Sequence, residues 1–184
     1  MHFCATCDGR FYKGADELMV IGGGNSALEE GLFLTQFAKR IRVLQRAPEL
    51  TASRLLQDKV LNHPQFSIHT NIEVLELQGQ SRLEGVVARD VVNGREFHWN
   101  RAAAFVFIGL DPDTQFVKNT VILDPRGFIQ ADAMFRTSVK VVFVSGDVRE
   151  GSTNQLGSAV GDGIAALLAV RRYLQEHHHL AAML

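Results

Sequence analysis

Two cysteines near the start of the sequence have the spacing of a redox pair. Cys4 and Cys7 are the only cysteines among the 184 residues. Residues three apart on a helical turn bring their sulfur atoms within bonding distance, and a helix N-terminus stabilises a thiolate. Asp8 follows directly, and a carboxyl group beside a dithiol can move a proton. The spacing favours a redox dithiol, while two inert buried cysteines, or half of a metal site with His2, remain open.

A glycine-rich stretch further along has the pattern of a nucleotide-binding turn. The six residues from Gly22, Gly-Gly-Gly-Asn-Ser-Ala, fit G-x-G-x-x-A between an apolar strand and a helix. Gly22 permits the turn, Gly24 lets the backbone approach a pyrophosphate, and the small Ala27 lets helix and strand pack closely. Asn25 and Ser26 lie where the helix N-terminus would face the phosphates. The stretch predicts dinucleotide binding, with a purely structural glycine turn as the alternative.

The end of the second strand bears on the choice of nucleotide. NAD sites usually carry an acidic residue about 20 positions after the glycine turn. This strand ends in Leu-Gln-Arg at Arg46, and Glu49 is the first carboxylate after it. Arg46 is therefore a candidate ligand for the 2′-phosphate of NADP, with a solvated surface arginine as the alternative.

A βαβ unit has to position these residues. The apolar pattern predicts a strand over 18–21, a helix over 26–38 and a strand over 41–44. A second helix over 53–61 and a short strand over 67–70 follow. This order predicts an α/β, Rossmann-like fold with a parallel sheet, whose first turn contains the glycines.

Antiparallel strands are predicted next. Residues 72–99 alternate between apolar and polar and contain the hairpin signal Asn93-Gly94, which together indicate a three-stranded meander. An apolar strand over 103–108 then ends at Gly109. The turn-rich residues 110–114 predict a domain boundary.

We therefore expect a nucleotide-binding domain with the dithiol over 1–109 and a shorter unit over 110–184. The shorter unit is predicted to contain an apolar strand at 141–144 and a long helix over 155–175 with many small residues. The histidine run 177–179 is interpreted as a solvated helix end rather than a metal site.

Composition and charge limit the function classes. The sequence is 46% hydrophobic and 21% charged, and its formal net charge of -1 predicts no basic surface for nucleic acid. No apolar run approaches the ~18 residues of a membrane span, and the residues before the dithiol lack a signal-peptide pattern. We expect a cytoplasmic protein that binds neither nucleic acid nor a membrane.

Four motifs in this order resemble thioredoxin reductase of the low-molecular-weight type. They are Cys-Ala-Thr-Cys-Asp-Gly from Cys4, the glycine turn followed by Leu-Glu-Glu, Ile-Gly-Leu-Asp-Pro-Asp-Thr from Ile108, and Val-Ser-Gly-Asp-Val from Val144 with Asn-Gln-Leu from Asn154. The resemblance spans essentially the whole sequence. It implies a flavoprotein that passes electrons from NADPH or NADH through FAD to a Cys4–Cys7 disulfide. A thioredoxin-like protein would be the substrate.

The resemblance also implies roles for the site residues. Cys7 would lie nearer the flavin, Cys4 would attack the partner's disulfide, and Asp8 would be the general acid. The positive end of the 155–175 helix would favour electron density on reduced flavin. The residues implied in FAD binding are Gly109, where the chain returns to the flavin domain, Gly146 and Asp147 at the ribityl and phosphate region, and Gln155 and Leu156 at the pyrimidine.

One departure from the family concerns the nicotinamide nucleotide. The family's NADPH motif carries two adjacent arginines and a third four positions after the second. The matching residues here are Arg46, Ala47 and Thr51. The stretch beginning at Arg46 is similar instead to alkyl hydroperoxide reductase flavoproteins, which use NADH. We expect a weak or relaxed preference between NADPH and NADH.

A second departure is that the sequence starts at the dithiol, whereas family members have an N-terminal flavin half before it. We expect the residues after 110 to expose apolar faces. The chain alone should then bind FAD poorly, and form a homodimer or need the missing half. The alternatives to an enzyme are a non-catalytic nucleotide-binding module and a dithiol-exchange protein.

Overall fold

The computed structural model describes residues 1–100 and 103–181, with side chains in the last helix up to residue 177. The chain divides into two compact units, Met1–Gly109 and Leu110–Leu184. In chain order the elements are α1 (Ala5–Asp8), β1 (Leu18–Ile21), α2 (Asn25–Leu34), β2 (Ile41–Leu44), α3 (Arg54–Leu61), β3 (Phe66–His69), β4 (Ile72–Gln78), β5 (Gly85–Asp90), β6 (Glu96–Trp99), β7 (Ala104–Val106) and α4 (Leu156–Ala181).

A parallel sheet forms the middle layer of the first unit. Its strands lie in the order β3-β2-β1-β7, and each neighbouring pair is parallel. Leu18 and Val20 of β1 belong to the cluster that contains the buried residues of α2 and α3, whereas Met19 packs against the antiparallel strands. Alternate residues of a strand point to opposite faces, so a strand covered on both faces has to be apolar throughout.

The antiparallel strands form the second cover of this sheet. They pair in the order β4-β5-β6. Val86 and Ala88 of β5 are buried in one cluster with Met19 and Leu44 of the parallel sheet. The prediction of an α/β fold with a parallel sheet and a three-stranded meander is therefore confirmed.

One edge of the parallel sheet positions the glycine turn. Ile21, the last residue of β1, pairs with Leu44 at the end of β2 and with Val106 at the end of β7. The carboxyl ends of these three strands consequently lie side by side, and the glycines follow β1 directly. Ligands of open α/β sheets bind at this edge.

Helix α2 ends at Leu34, earlier than the predicted 26–38. The backbone N–H groups of Thr35, Gln36 and Phe37 each donate to the carbonyl oxygen three residues earlier. This tighter turn ends the α-helical ladder, and it brings the chain round toward β2.

The second unit has a small core and one long helix. Val121, Ile129 and Val144 form the buried cluster. The predicted strand at 141–144 is wrong, because Phe143 makes only an isolated antiparallel bridge with Arg136. The N–H of Val142 donates to the Val139 carbonyl in a local turn, and the N–H of Val144 donates to the Phe135 carbonyl beside that single bridge, so the apolar run lacks the continuous ladder that a strand requires.

Helix α4 continues to Ala181, beyond the predicted end at 175. His177 is exposed and stacks on Tyr173, with ring centroids 4.0 Å apart, whereas the side chains at 178 and 179 lie outside the described residues. Within the described part of the chain, no helix combines the length and apolarity of a membrane span. The described His, Cys, Asp and Glu side chains likewise form no group of three or more suited to a metal ion.

Candidate functional site: the disulfide and the glycine turn

The disulfide lies at the start of the short helix α1. Cys4 is bonded to Cys7, with their Cα atoms 5.4 Å apart. Cys4 caps the helix, and its Sγ accepts the backbone N–H of Cys7 at 3.1 Å. In the reduced protein the same N–H would stabilise a thiolate at Cys4, because hydrogen bonds to a charged form favour that form. Cys4 is half-buried and Cys7 is exposed.

Contacts with α2 hold the disulfide segment in place. Ala5 is fully buried, and its N–H donates to Glu30 Oε2 at 2.7 Å. Gly9, which follows α1, lies against Leu34 and Phe37 so closely that a Cβ would stand 3.0 Å from Leu34 Cδ2. The dithiol is thus anchored to the helix that also carries the glycine turn at its N-terminus.

Asp8 is bound by a side chain that precedes the disulfide. His2 Nδ1 lies 3.0 Å from Asp8 Oδ2, and His2 Nε2 lies 2.7 Å from the Tyr12 hydroxyl. The His2 ring also stacks on Phe105 of β7, with centroids 5.0 Å apart. Burial, and then the Asp8 charge, raise the pKa of Tyr12 above its usual value. These contacts favour a redox pair over a metal site with His2, because both sulfurs and both ring nitrogens already have partners.

The glycine turn has the backbone freedom that a nucleotide needs. Gly22 has φ +125°, and a Cβ there would collide with the Phe107 carbonyl. Gly24 caps α2 in an extended conformation, and its nearest neighbour to an added Cβ is Thr51 Oγ1 at 3.6 Å. Ala27 is fully buried, as close helix–strand packing requires. The open backbone at Gly24 and the following helix N-terminus suit a pyrophosphate.

The loop after β2 is bonded to this turn. The N–H groups of Thr51 and Ala52 donate to the Gly23 carbonyl at 2.9 and 3.1 Å. Asn25 Oδ1 accepts the N–H of Ser53 at 2.7 Å, so its side chain holds the loop. Ser26 follows in α2 with an exposed side chain. The predicted contacts of Asn25 and Ser26 with a nucleotide therefore remain predictions, and Asn25 has a structural task as well.

The end of β2 presents one arginine to solvent. Arg46 is exposed, and Gln45 before it is buried, with its Nε2 donating to the Glu49 carbonyl at 3.2 Å. The Gln45 amide lies against Gly23, where a Cβ would stand 2.7 Å from its Cδ. Gln45 thus fills the place beside the turn, and Arg46 remains available for a ligand.

The candidate flavin residues of the second unit are joined by a polar side chain. Gly146 has φ +78° and Asp147 is exposed. Asn154 Nδ2 donates to the Asp147 carbonyl at 3.4 Å, which ties this loop to the start of α4. Gln155 and Leu156 are both exposed there. The exposed loop and the helix N-terminus are compatible with one side of a flavin. Gly109, the last residue of the first unit, has φ +99° and open space around it.

Sequence patterns did not reveal three of these residues. Tyr12 and Glu30 were not candidates, and His2 was considered only as a metal ligand. Their partners lie 10, 25 and 6 positions away along the chain, so no helical or strand period connects them. Asn154 was part of a recognised motif, but its bond to the Asp147 loop could not be read from spacing.

Comparisons with known proteins agree with this architecture. The profile of the pyridine nucleotide-disulphide oxidoreductase family matches residues 1–163. A thioredoxin reductase of Streptomyces clavuligerus is 37% identical over 173 residues, which cover 94% of this chain and 53% of that protein. One of Bacillus subtilis is 35% identical over 175 residues, covering 95% and 55%.

A solved structure gives the same result. The thioredoxin reductase of Streptococcus pyogenes superposes with a TM-score of 0.81 at 36% identity, over 95% of this chain and 57% of that one. The chain therefore spans little more than half the length of the relatives it matches.

Proposed function

Because the chain belongs to the pyridine nucleotide-disulphide oxidoreductase family, we propose that it is the nucleotide-binding and dithiol-bearing part of a thioredoxin-disulfide reductase. The observation that carries this proposal is the Cys4–Cys7 disulfide, anchored through Glu30 to the helix that begins at the glycine turn. One compact unit thus holds both a nucleotide-type turn and an accessible disulfide. Electrons would pass from NADPH or NADH through FAD to this disulfide, and then to a thioredoxin-like protein.

The dithiol carries out the last step by thiol–disulfide exchange. The Cys4 thiolate attacks one sulfur of the partner's disulfide, which forms a mixed disulfide and releases a thiolate on the partner. Cys7 then attacks Cys4, which restores the Cys4–Cys7 bond and releases the partner with two thiols. The N–H of Cys7 favours the Cys4 thiolate, which supports Cys4 as the attacking residue.

Asp8 supplies protons to this chemistry. When the Cys4–Cys7 bond is reduced, a leaving thiolate takes up a proton, and the neighbouring carboxylic acid is the donor that we assign. The carboxylate that remains recovers its proton from solvent, because Asp8 is only partly buried. The role rests on the position of Asp8 directly after Cys7.

Two groups of residues would bind the cofactors. Gly22, Gly24 and Ala27 with the N-terminus of α2, at Asn25 and Ser26, would hold the pyrophosphate of NAD(P)H, and Arg46 would meet a 2′-phosphate where one is present. Bound FAD supplies the two-electron link between the nicotinamide and the disulfide. Its partners in this chain would be Gly109, Gly146, Asp147, Gln155 and Leu156.

An apolar row on α4 supports a need for a further partner. Leu156, Val160, Ile164, Leu167 and Leu168 are each more than half exposed. Their spacing places them along one side of the helix. We assign this row to contact with a flavin half or with a second copy of the chain, in a protein that acts in the cytoplasm.

An anaerobic titration with NADPH or NADH tests the proposal, and it uses this chain fused to a flavin half that supplies the rest of the FAD site. We expect the wild-type protein to accept enough nucleotide to reduce both the flavin and the disulfide, and to gain two titratable thiols. A variant with both Cys4→Ser and Cys7→Ser should accept half as much and gain none. Reduction of the flavin with the Cys4–Cys7 bond left intact would contradict the proposal.

A further inference from the structure

The Asp8 carboxyl belongs to a chain of three polar groups. His2 stands between Asp8 and Tyr12, with Nδ1 at 3.0 Å from the carboxyl and Nε2 at 2.7 Å from the phenol oxygen. The Asp8 Oδ2 atom can accept a hydrogen bond both in the carboxylate and in the acid that carries its proton on Oδ1, so Nδ1 carries the hydrogen that faces Asp8. A neutral ring then leaves Nε2 to accept the hydrogen of the Tyr12 hydroxyl. The hydrogen bonds therefore run in one direction, from Tyr12 through His2 to Asp8.

The main chain fixes the His2 ring independently of its polar contacts. The N–H of His2 donates to the Ala104 carbonyl at 2.9 Å, and its carbonyl accepts the N–H of Val106 at 2.9 Å. These bonds attach residue 2 to strand β7, and the ring lies on the fully buried Phe105. A rigid strand thus carries the group that contacts Asp8, whereas Asp8 lies at the end of a helix of only four residues.

We propose that His2 is a positioning residue for Asp8, which orients the carboxyl toward the dithiol and keeps it in place during proton transfer. The inference rests on the proposed role of Asp8 as proton donor. A reaction loses less of its rate to misorientation when hydrogen bonds to a rigid element hold the reacting side chain in place. The groups that face the His2 ring are the Asp8 carboxyl, the Tyr12 phenol and the apolar Phe105 ring.

Reduction by dithiothreitol isolates this step from flavin and nucleotide. A dithiothreitol thiolate attacks one sulfur of the Cys4–Cys7 bond, a new S–S bond forms, and the released protein thiolate takes the proton of Asp8. The second dithiothreitol thiol closes its ring and releases the other protein thiolate, which is protonated from solvent. The products are oxidised dithiothreitol and the protein dithiol.

Two substitutions at position 2 separate orientation from packing. His2→Asn can place an amide N–H where Nδ1 lies and so keeps a donor to Asp8. His2→Gln places its amide near the position of Nε2, so it keeps a contact with Tyr12 and loses the donor to Asp8. Both lose the stacking on Phe105, and both keep the backbone bonds to β7. A merely structural role would affect them equally.

The rate of disulfide reduction in the full 184-residue chain is measured by stopped flow at neutral pH. Asp8→Asn should slow reduction about a hundredfold, as loss of a general acid does. We expect His2→Gln to slow it about tenfold, and His2→Asn to remain within about twofold of wild type. In an Asp8→Asn background, His2→Gln should cause no further loss, since it acts through Asp8.

The outcomes distinguish the proton-donor role of Asp8 from the positioning role of His2. If Asp8→Asn reacts like wild type, the proton-donor role fails and the inference fails with it. If Asp8→Asn is slow while the two His2 variants react alike, the proposed function stands and the positioning role is wrong. Should His2→Gln not fold, Tyr12→Phe, which removes only the hydroxyl, should show a loss of about threefold, and an unchanged rate would overturn the inference.

Discussion

Single residues distinguish the two sulfurs of the disulfide. Cys4 and Cys7 are chemically equivalent in sequence, and their spacing predicts only that they pair. The structure distinguishes them, because Cys4 Sγ accepts an N–H and Cys7 is the more exposed of the two. The link from His2 to Asp8 is likewise absent from any sequence period. Spacing therefore predicted that the two sulfurs pair, while their hydrogen-bond partners required the fold.

The first prediction concerns the order of attack. Cys7→Ser keeps the backbone N–H that stabilises a Cys4 thiolate, and it removes the sulfur that resolves the mixed disulfide. We expect this variant to trap a thioredoxin-like disulfide protein covalently. Cys4→Ser should do so about tenfold more slowly, since its remaining thiol lacks that bond. Non-reducing gels over time measure both rates, and faster trapping by Cys4→Ser would reverse the assigned roles.

The second prediction concerns the exposed Arg46. Since Arg46 is one of the three arginines that the resemblance would imply, kcat/KM for NADPH and NADH should differ by less than about tenfold. Arg46→Ala should lower kcat/KM for NADPH by about tenfold and leave NADH unchanged. Arg40→Ala makes the same charge change before the opposite end of β2 and serves as the control. A strong NADPH preference, or an equal effect of both variants, would contradict this assignment.

At the scale of elements, periodicity was most successful where both faces of a strand are buried. The boundaries of β1 and β2 match the predicted ranges, since β1 is apolar throughout, β2 is interrupted only by Arg42, and a turn follows each. The run at 141–144 has a similar composition but makes only one bridge. The local sequence shows that a segment is apolar. A strand also needs a neighbouring strand to pair with, which the local sequence does not specify.

The third prediction separates folding from binding at the glycine turn. A Cβ at Gly24 meets only an ordinary contact with Thr51, whereas at Gly22 it would collide with the Phe107 carbonyl. Gly24→Ala should therefore keep the free energy of unfolding within about 1 kcal/mol of wild type. It should still weaken NAD(P)H binding, because the added methyl group obstructs the pyrophosphate.

Gly22→Ala is the matched control and should unfold at a markedly lower temperature. Calorimetric titration with NADPH and NADH, alongside thermal unfolding, measures both effects. Unchanged nucleotide affinity in a folded Gly24→Ala variant would remove the turn from the binding site.

The fourth prediction concerns the turn at Asp124 in the second unit. Burial raises the pKa of this carboxyl, but the N–H groups of Phe128 and Arg126 and the Arg126 guanidinium outweigh burial and lower its pKa. A lowered pKa in the folded state means that the carboxylate stabilises the fold above its unfolded pKa, and that this contribution disappears as the pH falls. We expect the protection of the Phe128 amide against hydrogen exchange, relative to its intrinsic rate at each pH, to fall below about pH 4. Asp124→Ala removes the acceptor and should show low protection at every pH, and a wild type whose protection does not depend on pH would contradict this account.

At the scale of the whole molecule, the chain matches little more than half of the length of each of these relatives. The apolar row on α4 agrees with this partial coverage, because leucines and isoleucines rarely remain exposed in a row without a partner. The resemblance could predict that such a surface would exist, but not which residues form it. The assignment of the two units to NAD(P)H and FAD stays a prediction.

The fifth prediction concerns association. The isolated chain should be colourless after purification in the presence of FAD, and it should self-associate with increasing concentration. Leu167→Glu places a charge in the row and should shift the equilibrium toward monomer. Arg172→Glu adds an acidic residue on the same helix without removing an apolar side chain and should leave association unchanged. Sedimentation velocity measures the distribution, and a yellow, monomeric wild type would contradict the prediction.

Reduction of a thioredoxin-like protein by the reduced form of this chain tests the central claim most directly. The chain is reduced with dithiothreitol, freed of reductant, and mixed with oxidised thioredoxin, after which the thiols on each protein are counted by mass after alkylation. We predict that thioredoxin gains two thiols for each Cys4–Cys7 disulfide that reforms, and that the Cys4→Ser, Cys7→Ser double variant transfers none. A reduced chain that keeps both thiols while thioredoxin stays oxidised would contradict the account.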